Sequence, residues 1–375
     1  MKIYLVAGEA SGDARGAELM RALRERQPTL EFFGAGGPEM RALAGGDFLD
    51  WADEAVVGLW DVLKKYGYFK AQFNHMLADI ARVNPAAVIF IDYPGFNLRL
   101  AEAVKSRLPT VRTIYYISPQ VWAWNRGRIP KMARYLDLML CIFPFEQPLY
   151  EASGLHTVFV GHPMLDSLAA KRTSVDRDPQ LVGLFPGSRE KEVRRIFPVM
   201  LAAAGRMHEA QPALRFEAAA ASEPLADRMR GFLQAAGRPE SFCPISVRTS
   251  HELMQRAAAG MVCSGTATLE AAFFGLPLCV IYKVVWLTWV IGKRLVRVPF
   301  IGMPNVLAGR EIAREFLQDD ATAEAIAGEM LRLMTTPAAR TQMQKELAAV
   351  IVSLGEGGAA ARAAATIADL LAIPG

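Results

Sequence analysis

Ala87-Val-Ile-Phe-Ile91 is followed by Asp92-Tyr-Pro-Gly-Phe-Asn97 and then by Leu98-Arg-Leu-Ala-Glu-Ala-Val-Lys-Ser-Arg107. The first run is short, apolar and rich in β-branched and aromatic residues, the mark of a strand buried on both faces. A Pro-Gly turn ends it, and the spacing after Leu98 is helical. The same strand–turn–helix unit recurs on either side. Ile3–Ala7, Val111–Ile117 and Leu138–Ile142 read as further buried strands, and Ala14–Arg26 and Val57–Val83 as helices. Strands alternating with crossover helices give parallel pairing, hence a doubly wound α/β domain.

The pattern breaks after Gly161-His-Pro163. Residues 169–178, Ala-Ala-Lys-Arg-Thr-Ser-Val-Asp-Arg-Asp, are polar and lack periodicity, so they read as a linker. Strand-like runs resume at Leu181–Phe185, Leu214–Ala219, Gly260–Cys263 and Leu278–Tyr282. The C-terminal fifth is alanine-rich and helical, with no strand candidate. The expected fold is α/β: two Rossmann-like domains, at 1–168 and 179–350, and a last helix at 351–375 that packs back on the first domain.

Composition fits this reading. Of 375 residues, 52% are hydrophobic and 21% charged, enough apolar material for two cores and too little charge for a disordered chain. A net charge of +4 is too small to indicate nucleic acid, and none is expected as a partner. Cys141, Cys243, Cys263 and Cys279 form no CxxC pair, so neither a metal site nor a disulfide framework is expected, and a cytoplasmic setting fits. No apolar run reaches the length of a membrane span, and the first residues lack a signal-peptide pattern.

In such sheets ligands bind beyond the carboxyl ends of the strands, which directs attention to the loops there. Gly8-Glu-Ala-Ser-Gly-Asp13 follows the first strand; its glycines allow close approach, and Ser11 or Asp13 suits a helix cap. Asp92 ends its strand and is either a base facing a ligand or a carboxylate that ties down the Pro-Gly turn. Pro186-Gly-Ser-Arg189 leads into a helix from about Glu190, so Ser188 and Arg189 favour an anion at a helix start. Ser264-Gly-Thr266 forms a second such turn, with Glu270 one helical turn on, placed for ribose hydroxyls. Two anion-ready turns in one domain suggest a nucleoside diphosphate. His162 lies at the domain junction, where spacing alone assigns no role. Lys283, Lys293, Arg294 and Arg297 share an arc of about 100° on a helix that also carries Trp286 and Trp289. That pattern reads either as a membrane-surface helix or as a core helix with a basic solvated side.

Taken in order, Val6-Ala-Gly-Glu-Ala-Ser-Gly-Asp13, Ile117-Ser-Pro-Gln-Val-Trp-Ala-Trp124, Phe143-Pro-Phe-Glu146, Gly161-His162, Pro186-Gly-Ser-Arg-Glu-Lys-Glu-Val193, Ser264-Gly-Thr-Ala-Thr-Leu-Glu270 and Pro304-Asn-Val-Leu-Ala-Gly-Arg-Glu311 resemble the lipid A disaccharide synthases. The blocks span nearly the whole chain. The resemblance implies a GT-B arrangement, with an acceptor domain first, a UDP-sugar domain second and a cleft between them. It implies inverting transfer of 2,3-diacylglucosamine from UDP to 2,3-diacylglucosamine 1-phosphate, with no metal and no cofactor. Asp92 would be the base. Ser188, Arg189, Ser264, Gly265, Thr266, Glu270 and Asn305 would hold the nucleotide sugar. Glu9, Ser11, Trp124, Arg126 and His162 would meet the acceptor. Peripheral attachment to the anionic inner-membrane surface, through Trp286, Trp289, Lys293, Arg294 and Arg297, and a homodimer are also implied. Gly95 and Asn125 depart from the family pattern, which leaves an acceptor phosphate to Arg126, Arg128 or Lys131. Two other readings remain: a GT-B enzyme acting on UDP-N-acetylglucosamine, and a non-catalytic nucleotide-sugar binder on a membrane.

Overall fold

The computed structural model describes residues 1–44, 48–51, 66–285 and 298–373. The chain divides into two compact units. One comprises Met1–Asp166 with Leu354–Gly375, and the other Ser167–Ser353.

The first unit carries seven parallel strands: β1 Lys2–Ala7, β2 Glu31–Gly36, β3 Phe48–Asp50, β4 Ala87–Ile91, β5 Arg112–Tyr116, β6 Leu138–Cys141 and β7 Thr157–Phe159. Their order in the sheet is β3-β2-β1-β4-β5-β6-β7. Alternate residues of a strand point to opposite faces, and the core divides accordingly. Ile3, Leu5 and Ala7 of β1 pack with Leu19 and Leu23 of the helix Ala10–Arg26. Tyr4 and Val6 pack on the other face with Met76 and Ile80 of the helix Tyr66–Val83 and with Leu100 and Val104 of Pro94–Arg107.

The last helix, Ala359–Leu371, belongs to the first of these faces through Ala363, Ala364 and Ile367. Its small side chains let it lie close against Ala10–Arg26. Arg362 fixes it further by donating to the carbonyls of Val160, Glu356 and Gly357 at 2.7–2.8 Å.

The second unit has six parallel strands: β8 Asp178–Phe185, β9 Arg215–Ala220, β10 Ile245–Val247, β11 Ala257–Cys263, β12 Leu278–Tyr282 and β13 Glu315–Leu317, in the order β10-β9-β8-β11-β12-β13. β13 corrects the expectation that the C-terminal fifth holds no strand. Three residues paired with β12 are too few to produce a periodic signal.

Residues 169–178 are not loose chain. Gln255 accepts from the Thr173 amide at 2.7 Å and donates to the Lys171 carbonyl at 3.0 Å. Arg177 binds the carbonyls of Met254 and Ala257, and Arg172 that of Phe273. Among the described residues no helix is long and apolar enough to cross a membrane.

Candidate functional site

Each sheet reverses its strand order once, and the motifs gather at the reversals. In the first unit it falls between β1 and β4, where Ala7 pairs with Ile91. A crevice opens beyond the strand ends at such a point. The residues that follow are Gly8-Glu9 on one side and Asp92-Tyr93 on the other. In the second unit the reversal falls between β8 and β11, where Phe185 pairs with Val262. There the turns 186–189 and 264–266 leave neighbouring strands.

Asp92 is held unusually. It and Tyr93 both adopt left-handed backbone, at φ 46° and 49°, a conformation that costs non-glycine residues about 1–3 kcal/mol each. The cost is offset by anchoring from three sides. The Asp92 amide donates to the Tyr116 carbonyl at 3.0 Å. Its carbonyl accepts from the Tyr115 hydroxyl at 2.6 Å and from the Asn97 amide at 2.8 Å. None of these bonds uses the carboxylate. Burial raises its pKa to about 6; the Tyr93 amide lowers it in part, and the nearby Glu9 charge raises it further. The Tyr93 ring fills the space that any side chain at Gly8 would need, so the glycine there makes room for the turn at Asp92. A side chain at Gly95 would meet nothing within 4 Å.

Glu9 is partly buried at the start of the helix Ala10–Arg26, and Ser11 is exposed in its first turn. Neither caps that helix by its side chain, and nor does Asp13. The buried Asp13 accepts instead from the amides of Gly37, Glu39 and Met40 at 2.9–3.0 Å, capping the helix Pro38–Ala44. Gly34-Ala-Gly36 thus ends β2, and Gly37 with the helix start behind it carries the partners of Asp13.

Glu146 is the residue that motif reading passed over. It is fully buried and accepts from Ser118 Oγ at 2.6 Å, Trp122 Nε1 at 2.8 Å and the Phe143 amide at 3.1 Å. Burial pushes its pKa up to about 7 against these bonds. It locks the block 117–124 to the block 143–146, and the presence of a glutamate within an otherwise apolar Phe-Pro-Phe run was the available signal. Arg126 donates its Nε to the Trp122 carbonyl at 3.0 Å and is exposed. Trp124 ends the short helix Val121–Trp124, and its side chain lies outside the described residues. His162 packs against Phe143 with the rings tilted at 50° and their centroids 5.3 Å apart. Its Nδ1 accepts from the Met164 amide at 3.2 Å, and burial followed by the Arg15 charge lowers its pKa to about 4. It is therefore a neutral ring at physiological pH.

In both anion-ready turns some of the donors are engaged within the protein. The Ser188 and Arg189 amides are not free: both donate to Glu192 Oε2 at 3.2 Å, and Arg189 Nη1 donates to Glu192 Oε1 at 2.9 Å. Three residues into the helix Glu190–Ala210, Glu192 completes a capping box. The Ser264 amide is also taken, by the Ile281 carbonyl at 3.0 Å. Gly265 and Thr266 are exposed at the start of the helix Thr266–Phe273, where the first N–H groups have no intrahelical acceptor. Glu270 on that helix keeps its side chain 24% exposed.

Asn305 is engaged by its own loop. It is fully buried, and its amide donates to the Ala313 carbonyl and Glu315 Oε1 while its oxygen accepts from the Ile312 and Ala313 amides, all within 2.7–2.9 Å. No donor or acceptor remains for a ligand. Its task is to shape the loop 302–315, which Glu315 continues by accepting from the Ile301 and Gly302 amides at 2.9 Å. Trp286, Trp289, Lys293, Arg294 and Arg297 lie outside the described residues. Lys283 is described and donates to the Ala321 carbonyl at 3.2 Å.

A family model described as lipid-A-disaccharide synthetase matches residues 3–367. Lipid-A-disaccharide synthases of Trichlorobacter lovleyi and Geobacter sulfurreducens are 42% and 40% identical to the chain, each over 99% of it and 97% of the relative. Among solved structures, a UDP-GlcNAc 2-epimerase from Neisseria meningitidis bound to UDP-GlcNAc superposes with a TM-score of 0.62 at 11% identity, covering 99% of this chain and all of that one. A UGT transferase from Siraitia grosvenorii in complex with UDP gives 0.60 at 12% identity, over 99% of each chain. These two likenesses concern the fold, which is that of two Rossmann-like domains. The match over almost the full length and the identity to the two synthases place the chain in the lipid-A-disaccharide synthase family.

Proposed function

We propose that the protein transfers 2,3-diacylglucosamine from UDP to the 6-hydroxyl of 2,3-diacylglucosamine 1-phosphate, with inversion and with Asp92 as the base. The observation that carries this is the placement of Asp92: a carboxylate at the strand reversal, with a pKa raised to about 6 although it accepts from the Tyr93 amide. In one displacement the acceptor oxygen forms a bond to the anomeric carbon and gives its proton to Asp92. The bond from that carbon to the β-phosphate oxygen breaks, and UDP leaves with the electron pair. Arg189 and the amides of Gly265 and Thr266 meet the charge on the departing diphosphate, and Glu270 takes the ribose hydroxyls. Glu9, Ser11 and Arg126 serve the acceptor, with the neutral His162 as a hydrogen-bond donor through Nε2.

The segment 283–297 attaches the protein to an anionic membrane surface in this reading, which suits a substrate pair carrying four acyl chains; flotation with anionic vesicles tests it. A homodimer is tested by sedimentation.

The reaction is tested by mixing purified protein with UDP-2,3-diacylglucosamine and labelled 2,3-diacylglucosamine 1-phosphate in detergent, with EDTA present, and separating the products by thin-layer chromatography. A labelled disaccharide 1-phosphate is expected. Turnover of UDP-N-acetylglucosamine alone, with no disaccharide, would establish an epimerase instead.

A further inference from the structure

Glu270, which the proposed function assigns to the ribose, is not a solitary carboxylate. His251 Nε2 lies 3.4 Å from Glu270 Oε2, and His251 Nδ1 lies 3.3 Å from Lys171 Nζ. A lysine ammonium can only donate, so Nδ1 accepts and the proton of the neutral ring sits on Nε2, facing Glu270. The chain of contacts therefore runs in one direction, from Lys171 through His251 to Glu270.

The surroundings fix this arrangement. His251 lies in the first turn of the helix Ser250–Arg256, which runs into β11; the helix Thr266–Phe273 leaves the other end of that strand. The His251 ring packs on Phe274, with centroids 5.7 Å apart. Gln255 bonds to the carbonyls of both Lys171 and His251, at 3.0 and 3.1 Å, and so ties the backbone of the lysine to that of the histidine. Glu270 and His251 remain 24% and 21% exposed, so the pair is open to a ligand.

We propose that His251, backed by Lys171, is a positioning residue for the nucleotide: it holds one oxygen of Glu270 so that the carboxylate faces a ribose diol. The proposal rests on the ribose reading of Glu270. A carboxylate tethered on one side loses less freedom on binding than a freely rotating one. The gain is confined to ligands that carry the ribose hydroxyls.

The test compares UDP with 2′,3′-dideoxy-UDP by titration calorimetry on the full chain and on the variants His251→Ala, His251→Gln and Glu270→Ala, with thermal melts as a folding control. The wild type is expected to prefer UDP by about 10-fold or more, as hydrogen bonds to a charged group allow. His251→Ala should reduce that preference several-fold and leave dideoxy-UDP binding unchanged, and His251→Gln, which keeps a donor, should restore part of it. Equal weakening of both ligands, or an unchanged ratio, overturns the positioning role. If Glu270→Ala leaves the ratio intact, the ribose reading fails and takes the proposal with it. If Glu270→Ala abolishes the preference while His251→Ala does not, only the proposal fails.

Discussion

Arg189 holds Glu192 by both its side chain and its backbone: Nη1 donates to Oε1 at 2.9 Å and the main-chain N–H donates to Oε2 at 3.2 Å. A diphosphate at this helix start needs the same donors, so Glu192 must yield them or compete. Glu192→Ala is expected to bind UDP about 2–10-fold more tightly, the worth of one exchanged hydrogen bond. The variant should also lose about 0.5–2 kcal/mol of stability with its capping box. Calorimetric titration and denaturant melts measure the two effects. Weaker UDP binding would mean that Glu192 orients Arg189 for the ligand.

The pKa of Asp92 sets an acid limit on turnover. A base must be ionised, so kcat/KM should fall about tenfold per pH unit below 6. The same shift opposes folding. Between the usual carboxylate value of 3.8 and about 6, the unfolded chain releases this proton before the folded one does, so stability drops across that window and the penalty persists above it. Asp92→Asn should therefore be more stable at pH 8 by on the order of 3 kcal/mol, with no such advantage at pH 3.5. An equal change at both values would assign the effect to packing.

Glu146 joins two sequence blocks by accepting from three donors. Glu146→Gln presents an amide N–H₂ to at least one of them, at a cost of about 1–3 kcal/mol. Turnover should fall markedly while the UDP dissociation constant stays put, because the damage is confined to the unit that holds Asp92. Kinetics with full activity would show that the blocks hold their shape without this carboxylate.

Asn305 has every donor and acceptor occupied inside the protein. Asn305→Ala should lower the melting temperature and, well below that temperature, leave UDP affinity near the wild-type value. Lost affinity at an unchanged melting temperature would return Asn305 to the ligand.

The alternation of buried strands with helices was readable because β1, β4, β5, β6, β8, β9, β11 and β12 are four to eight residues long and mostly apolar. Four strands that went unnamed, β3, β7, β10 and β13, have three residues each, too few to show a period, and the fifth, β2, ends in Gly34-Ala-Gly36, which reads as a turn. Turn chemistry pointed to Asp92 and to the turns 186–189 and 264–266, which follow the strands at the two reversals. It could not say which side chains the protein itself consumes. Asp13 caps a helix more than twenty residues away, Asn305 is spent on its own loop, and Glu192 sits where an anion was expected. The last two are bonds within one loop and one turn; the first depends on which strands are neighbours, and strand order is not written in local pattern. The partnership of Lys171, His251 and Glu270 was hidden for the same reason.

The central claim is that Asp92 takes the acceptor's proton while the second unit holds UDP. Its most direct test is the single-turnover rate of disaccharide formation by Asp92→Asn beside the wild type, with the UDP dissociation constant measured on the same preparations. The account predicts disaccharide from the wild type, a loss of at least about a hundredfold in the variant, and unchanged UDP binding. Disaccharide formed by Asp92→Asn at the wild-type rate would contradict it.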